Sequence, residues 1–105
     1  MPKYLVEASY THEGLKGILK SGGTARKKAL QQLAKSLGGK LEAFYFSFGD
    51  SDVYVLLDLP DNTDAAAASI VTTASGAVKA KVTVLLTPEE IDTAAKKSVD
   101  YTPPK

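Results

Sequence analysis

The sequence has no cysteine and only one histidine, His12. Without thiols there are no disulfide staples and no thiolate metal sites, so packing must hold the fold, and the chain suits a reducing compartment. A cytoplasmic protein is expected. A single imidazole also leaves a paired-carboxylate metal site short of a further ligand, and no metal is expected. No run approaches the roughly 18 apolar residues of a membrane-spanning helix. At the start, MPKYLVEASYTHEGL meets Glu7 and polar residues before an apolar stretch of signal-peptide length can form. A soluble protein without a membrane partner follows. Its 105 residues suit one domain with one core.

Lysine and arginine are missing altogether from residues 41–78, which hold six acids and so carry −6. Residues 1–40 are the counterpart, with eight basic residues against two acids, or +6. The near-zero total of +1 therefore conceals two segments that attract each other within a chain or between copies. Arg26, Lys27 and Lys28 have no interleaved aromatics and no nucleic-acid motif around them, so no nucleic-acid partner is expected.

What is present is clear periodicity. Tyr4, Val6, Ala8 and Tyr10 alternate with Lys3, Leu5, Glu7 and Ser9, as in a strand. Thr11 offers a cap to a short helical segment with Leu15, Ile18 and Leu19 on one face, and SGG at residues 21–23 interrupts it. Thr24 then opens a longer helix striped by Leu30, Leu33, Ala34 and Leu37, which Gly38 and Gly39 end. KLEAFYFSFG reads as an aromatic strand. In the next strand Val53, Val55, Leu57 and Leu59 form an apolar face, with Asp52, Tyr54, Leu56 and Asp58 opposite. An alanine-rich helix through Ala65–Ala68, Ile70, Val71 and Ala74 stops at Ser75-Gly76. AVKAKVTVLL is the last strand, and TPEE starts a short helix with a capping box and proline at its first position.

Strand, helix, strand, strand, helix, strand is the ferredoxin-like α+β pattern: a four-stranded antiparallel sheet, first and third strands central, both main helices on one face. One domain over residues 1–97 and a polar tail over 98–105 are expected. The other sheet face would carry Leu5, Glu7, Asp52, Tyr54, Leu56, Asp58, Lys79, Lys81, Thr83 and Leu85. That mixture is too apolar for open water, and a second sheet or a ligand is the natural cover.

YLVEASYTHEGLKGI, Arg26, LAKSLGGKLEAFYFSFGDSDVYVLLDLPDNTDAAAA and SGAVKAKVTVLL together resemble the GYD-domain family of small, largely bacterial proteins, over roughly Lys3 to Leu86. The ordered landmarks are Thr11, Gly14, Arg26, Gly38-Gly39, Gly49, Asp52, Pro60-Asp61 and Gly76. Where the family pattern has a tyrosine before the aspartate, this chain has Ser51. The resemblance implies a dimeric α+β barrel in which two such sheets cover each other. It implies no reaction.

Candidate site residues follow from chemistry. Gly49-Asp50-Ser51-Asp52 is first of all turn punctuation between two strands. In its functional reading, Asp52 at the start of the mixed face is a base or hydrogen-bond acceptor. His12 has the one side chain that ordinarily titrates near neutrality, which makes it the proton-transfer candidate; otherwise it is a solvated residue of a helix's first turn. Arg26, with the amides after Gly22-Gly23, suits an anionic ligand such as carboxylate or phosphate. Tyr10, Tyr45 and Tyr54 would stack on or hydrogen-bond a ligand, although aromatics at strand spacing also serve cores and interfaces. No P-loop or dinucleotide fingerprint is present, and no cofactor is expected. Three functions fit: a homodimeric small-ligand-binding or regulatory module whose barrel face holds an organic acid or aromatic molecule, a cofactor-independent enzyme of the oxygenase or isomerase kind with a cleft between sheet and helices, and a self-assembly protein without a ligand.

Overall fold

The structure is a computed structural model and describes residues 1–104. Its elements run β1 (Lys3–Tyr10), α1 (His12–Ser36), β2 (Lys40–Phe46), β3 (Val53–Asp58), α2 (Asn62–Ala74), β4 (Val78–Leu85) and α3 (Pro88–Ala95). The strands form one antiparallel sheet in the order β2-β3-β1-β4, so the first and third are central and the fold is ferredoxin-like α+β. Residues 98–104 belong to no helix or strand, and Lys105 lies outside the described residues. Among the described residues, no helix is long and apolar enough to cross a membrane.

Strand alternation decides the core. Tyr4 and Ala8 of β1, Val53, Val55 and Leu57 of β3, Leu59 beyond it and Val78 of β4 are buried with Ala34 of α1 and Ala65 of α2. The β2–β3 register slips between Leu41 and Ala43, leaving Glu42 as the extra residue of a bulge. Leu41 and Phe44 thereby face the same way as their partners Leu57 and Val55 and join the core edge. Asp61 caps α2, its carboxylate accepting from the Thr63 and Asp64 amides at 2.9 and 3.2 Å. Thr87 and Glu90 of α3 make the reciprocal capping box that the sequence promises.

The region 12–36 holds the two helical segments expected there. They join at a kink at Gly22, within the expected SGG break, where φ of 83° and ψ of 170° are non-helical and suit glycine alone. Thr11 caps the first segment as expected, accepting from the Gly14 amide at 3.3 Å. The bend separates two kinds of packing. Beyond it, Leu30 and Ala34 are buried on the sheet. Before it, contact with the sheet end is made through Gly14, where an added Cβ would stand 2.1 Å from the Ala77 carbonyl oxygen. Leu15 and Leu19, expected on a core-facing stripe, are exposed, and only Ile18 is partly covered. In α2, Ile70 and Val71 are exposed as well, because Ala65 and Ala68 supply the face that meets the sheet.

On the open face, Lys3 Nζ donates to Glu42 and, at 2.8 Å, to Asp58 Oδ1, while Lys40 Nζ lies 3.8 Å from Asp58 Oδ2. Burial pushes the Asp58 carboxyl up, but the Lys3 hydrogen bond and the charges of Lys3 and Lys40 outweigh it and hold the group below its ordinary 3.8. The Asp58 hydrogen bond, then that of Glu42, raises Lys3 above 10.5. A carboxyl titrating lower in the fold than in the unfolded chain stabilises the fold above its unfolded value, and this is lost as pH falls through the folded value. The raised lysine contributes below its unfolded value and loses this only as pH rises through the folded one. Thermal melts should therefore show Asp58→Asn less stable than wild type near pH 7, with a gap that narrows below about pH 4. A gap that is constant down to strong acid would mean that the ion pair contributes nothing.

Candidate functional site

The end of β1 is held by backbone and carboxylate together. The Asp52 amide donates to the Ala8 carbonyl at 2.8 Å, and Asp52 Oδ2 accepts from the Tyr10 amide at 2.9 Å. Ser47 closes the intervening loop, its amide donating to the Asp52 carbonyl at 2.8 Å and its hydroxyl to the Ser51 carbonyl. The GDSD turn thus does structural work, and the Asp52 carboxylate is spent partly on a backbone donor. Expected on the open face, Asp52 instead borders a cleft on the helix side with Tyr10, Ile18, Phe46 and Phe48. Loop geometry before Val53, where β3 begins, breaks the strand alternation that the expectation assumed.

Tyr10 is fixed by this arrangement, and its ring meets Arg26 from α1. The guanidinium carbon lies 5.7 Å from the ring centroid, a cation–π distance. Phe46 flanks the same ring at 6.3 Å, and Phe44 meets Phe46 edge-on at 5.1 Å. Tyr10 Oη and Arg26 Nε are both buried, and neither has a hydrogen-bond partner among the described residues. Such groups are uncommon because each forfeits its hydration, at a cost of about 1–3 kcal/mol.

Several hollows converge on this pair. One of about 320 Å³ lies beneath the first half of α1, bordered by Tyr10, Glu13, Ile18, Arg26 and Ala77. The cleft at Asp52 and Phe46, about 450 Å³, shares Tyr10 and Ile18 with it. A groove of about 220 Å³ between α1 and α2 reaches Arg26 from the other side, past Leu33 and Val71. The first half of α1, before the bend at Gly22, forms one wall of the first two.

Of the sequence-predicted residues, the structure brings together Tyr10, Arg26 and Asp52. His12 is exposed at the first position of α1 and does not border these hollows. Tyr45 and Tyr54 face each other across the β2–β3 pair on the open face, Tyr45 exposed and Tyr54 half-buried. The walls contributed by Ile18, Phe46 and Phe48 were not singled out as site residues. The aromatic run around Phe46 was the available signal, but without the bulge its facing was ambiguous. Among the described residues, no three metal-ligating side chains cluster.

The family described as GYD domain matches residues 4–95. No curated protein and no solved structure matches the chain.

Proposed function

This chain belongs to the GYD-domain family, and on that premise we propose that it is a homodimeric module that binds a small organic acid between α1 and the sheet. The observation that carries the reading is the pair of unpartnered buried groups, Tyr10 Oη and Arg26 Nε, beside hollows with apolar walls. A carboxylate accepts hydrogen bonds from both, and it neutralises the guanidinium that lies over the Tyr10 ring. Ile18 and Phe46 suit an apolar body attached to that head. This is an arrangement of few polar anchors in a mostly apolar concavity.

Isothermal titration with a panel of aromatic and aliphatic carboxylates tests it. A binder is expected whose affinity falls by about 2–5 kcal/mol in Arg26→Ala, as when one partner of a desolvated charge pair is removed. Tyr10→Phe, which keeps the ring and loses only the hydroxyl, should cost about 1 kcal/mol. A carboxylate that binds Arg26→Ala as tightly as wild type would remove the guanidinium from the site.

The homodimer is proposed through the open sheet face. Leu5 stands opposite Leu56, and Leu56 opposite Ala43, in a central apolar strip. Glu7 opposite Lys81, and Lys3 on Asp58, supply both signs beside it. Two copies related by a two-fold axis would bury the strip without stranding charge of one sign.

A further inference from the structure

The segment after β4 does not pack on its own domain. α3 buries none of its residues, and Leu86, Ile91, Val99 and Tyr101 are all exposed. The Cα radius of gyration is 16.5 Å, whereas a compact chain of this length has about 13 Å. Yet α3 has a complete capping box and a proline at its start. Eight residues are far fewer than the roughly 12–15 that sustain an isolated helix in water, so such a helix depends on a packed face.

Its chemistry indicates the kind of surface it fits. Ile91 is flanked by Glu89, Glu90 and Asp92, and the helix contains no basic residue. The first half of α1 is the complement, with exposed Leu15 and Leu19 beside exposed Lys16 and Lys20. Within one chain the two do not meet. β4 ends opposite Lys3, while α1 starts past Tyr10, which pairs with Val78 at the other end of the sheet. Only Leu86 and Thr87 join β4 to α3, a reach of about 7 Å, too short to return along the strand.

We propose that α3 docks on the first half of α1 of a second copy of this chain, with Ile91 against Leu15 and Leu19 and the acids facing Lys16 and Lys20. A two-fold axis makes the exchange reciprocal, so each pair of chains gains the contact twice. The exchange borders the organic-acid cleft, whose wall includes Leu15, and leaves the open-face contact as a separate surface.

The chain's lack of cysteine makes the test direct. Asp92→Cys protein mixed with Lys20→Cys protein should form a covalent heterodimer under mild oxidation faster than Asp92→Cys mixed with Thr73→Cys, a control at an exposed position. Equal rates would overturn the proposal. Independently, the reversal Glu89→Lys, Asp92→Lys, which spares the Glu90 cap, should raise the self-association Kd about tenfold at low salt. Adding Lys16→Glu and Lys20→Glu to the reversed chain should restore it. A Kd that ignores the first reversal, or one that the second fails to recover, excludes α1 as the docking surface.

Discussion

Leu57→Asp is expected to leave the chain unfolded at room temperature. Leu57 is 3% exposed near the end of β3, paired with Tyr4 on one side and Leu41 on the other, beneath the helices. Removing a buried leucine costs about 2–5 kcal/mol, and an unpaired carboxylate in its place adds several more. A domain of this size has about 5–15 kcal/mol in total. Far-ultraviolet circular dichroism and urea titration check the result. Ile70→Asp is the control: at 68% exposed on α2 it should move stability by no more than about 1 kcal/mol. If Leu57→Asp kept the wild-type midpoint, the assignment of this face to the core would be wrong.

That face could be read from the sequence because period-two alternation and β-branched residues fix it locally. Val53, Val55, Leu57 and Leu59 need no knowledge of the rest of the chain. The caps at Thr11 and Thr87 and the stops at Gly38 and Gly76 were legible for the same reason, since each depends on a few adjacent residues. The break at Gly22 was legible too, but not the angle across it. A glycine pair signals a break, and whether the chain then turns away or runs on at an angle depends on what lies beneath it. Here Gly14 against Ala77 and Leu30 against the sheet set how the two helical segments lie about the kink.

The candidate site shows the same limit more sharply. Arg26 and Tyr10 were recognisable as groups that suit a ligand, but their meeting across the α1–β1 gap is a tertiary fact. Asp52 was legible as turn punctuation, and its bond to the Tyr10 amide gives that reading a specific partner. Its side of the sheet was misjudged because alternation was extended one residue beyond the strand. Tyr45 and Tyr54 went to the opposite face from Arg26, which chemistry alone could not separate.

The proposed homodimer leads to the second large effect: Leu56→Lys should convert the protein to a monomer or to aggregates. Leu56 occupies the open face between Leu5 and Ala43 and is only half-buried within its own chain, so the remaining apolar area is what a partner would cover. Fully burying a leucine contributes roughly 1.5–3 kcal/mol, and a two-fold interface counts the substitution twice. A lysine there also confronts its own symmetry mate across the axis, adding like-charge repulsion in a dry contact. Within a monomer the same lysine can lay its stem along Leu5 and keep its ammonium in water, so the fold should survive where Leu57→Asp does not. Stability should then fall and lose its dependence on protein concentration, since the folding of a homodimer is linked to association by mass action. Sedimentation equilibrium at micromolar concentration separates the outcomes. A monomeric wild type refutes the homodimer, and a dimer indifferent to Leu56→Lys moves the interface off the sheet face, leaving the α3–α1 exchange as the contact between copies.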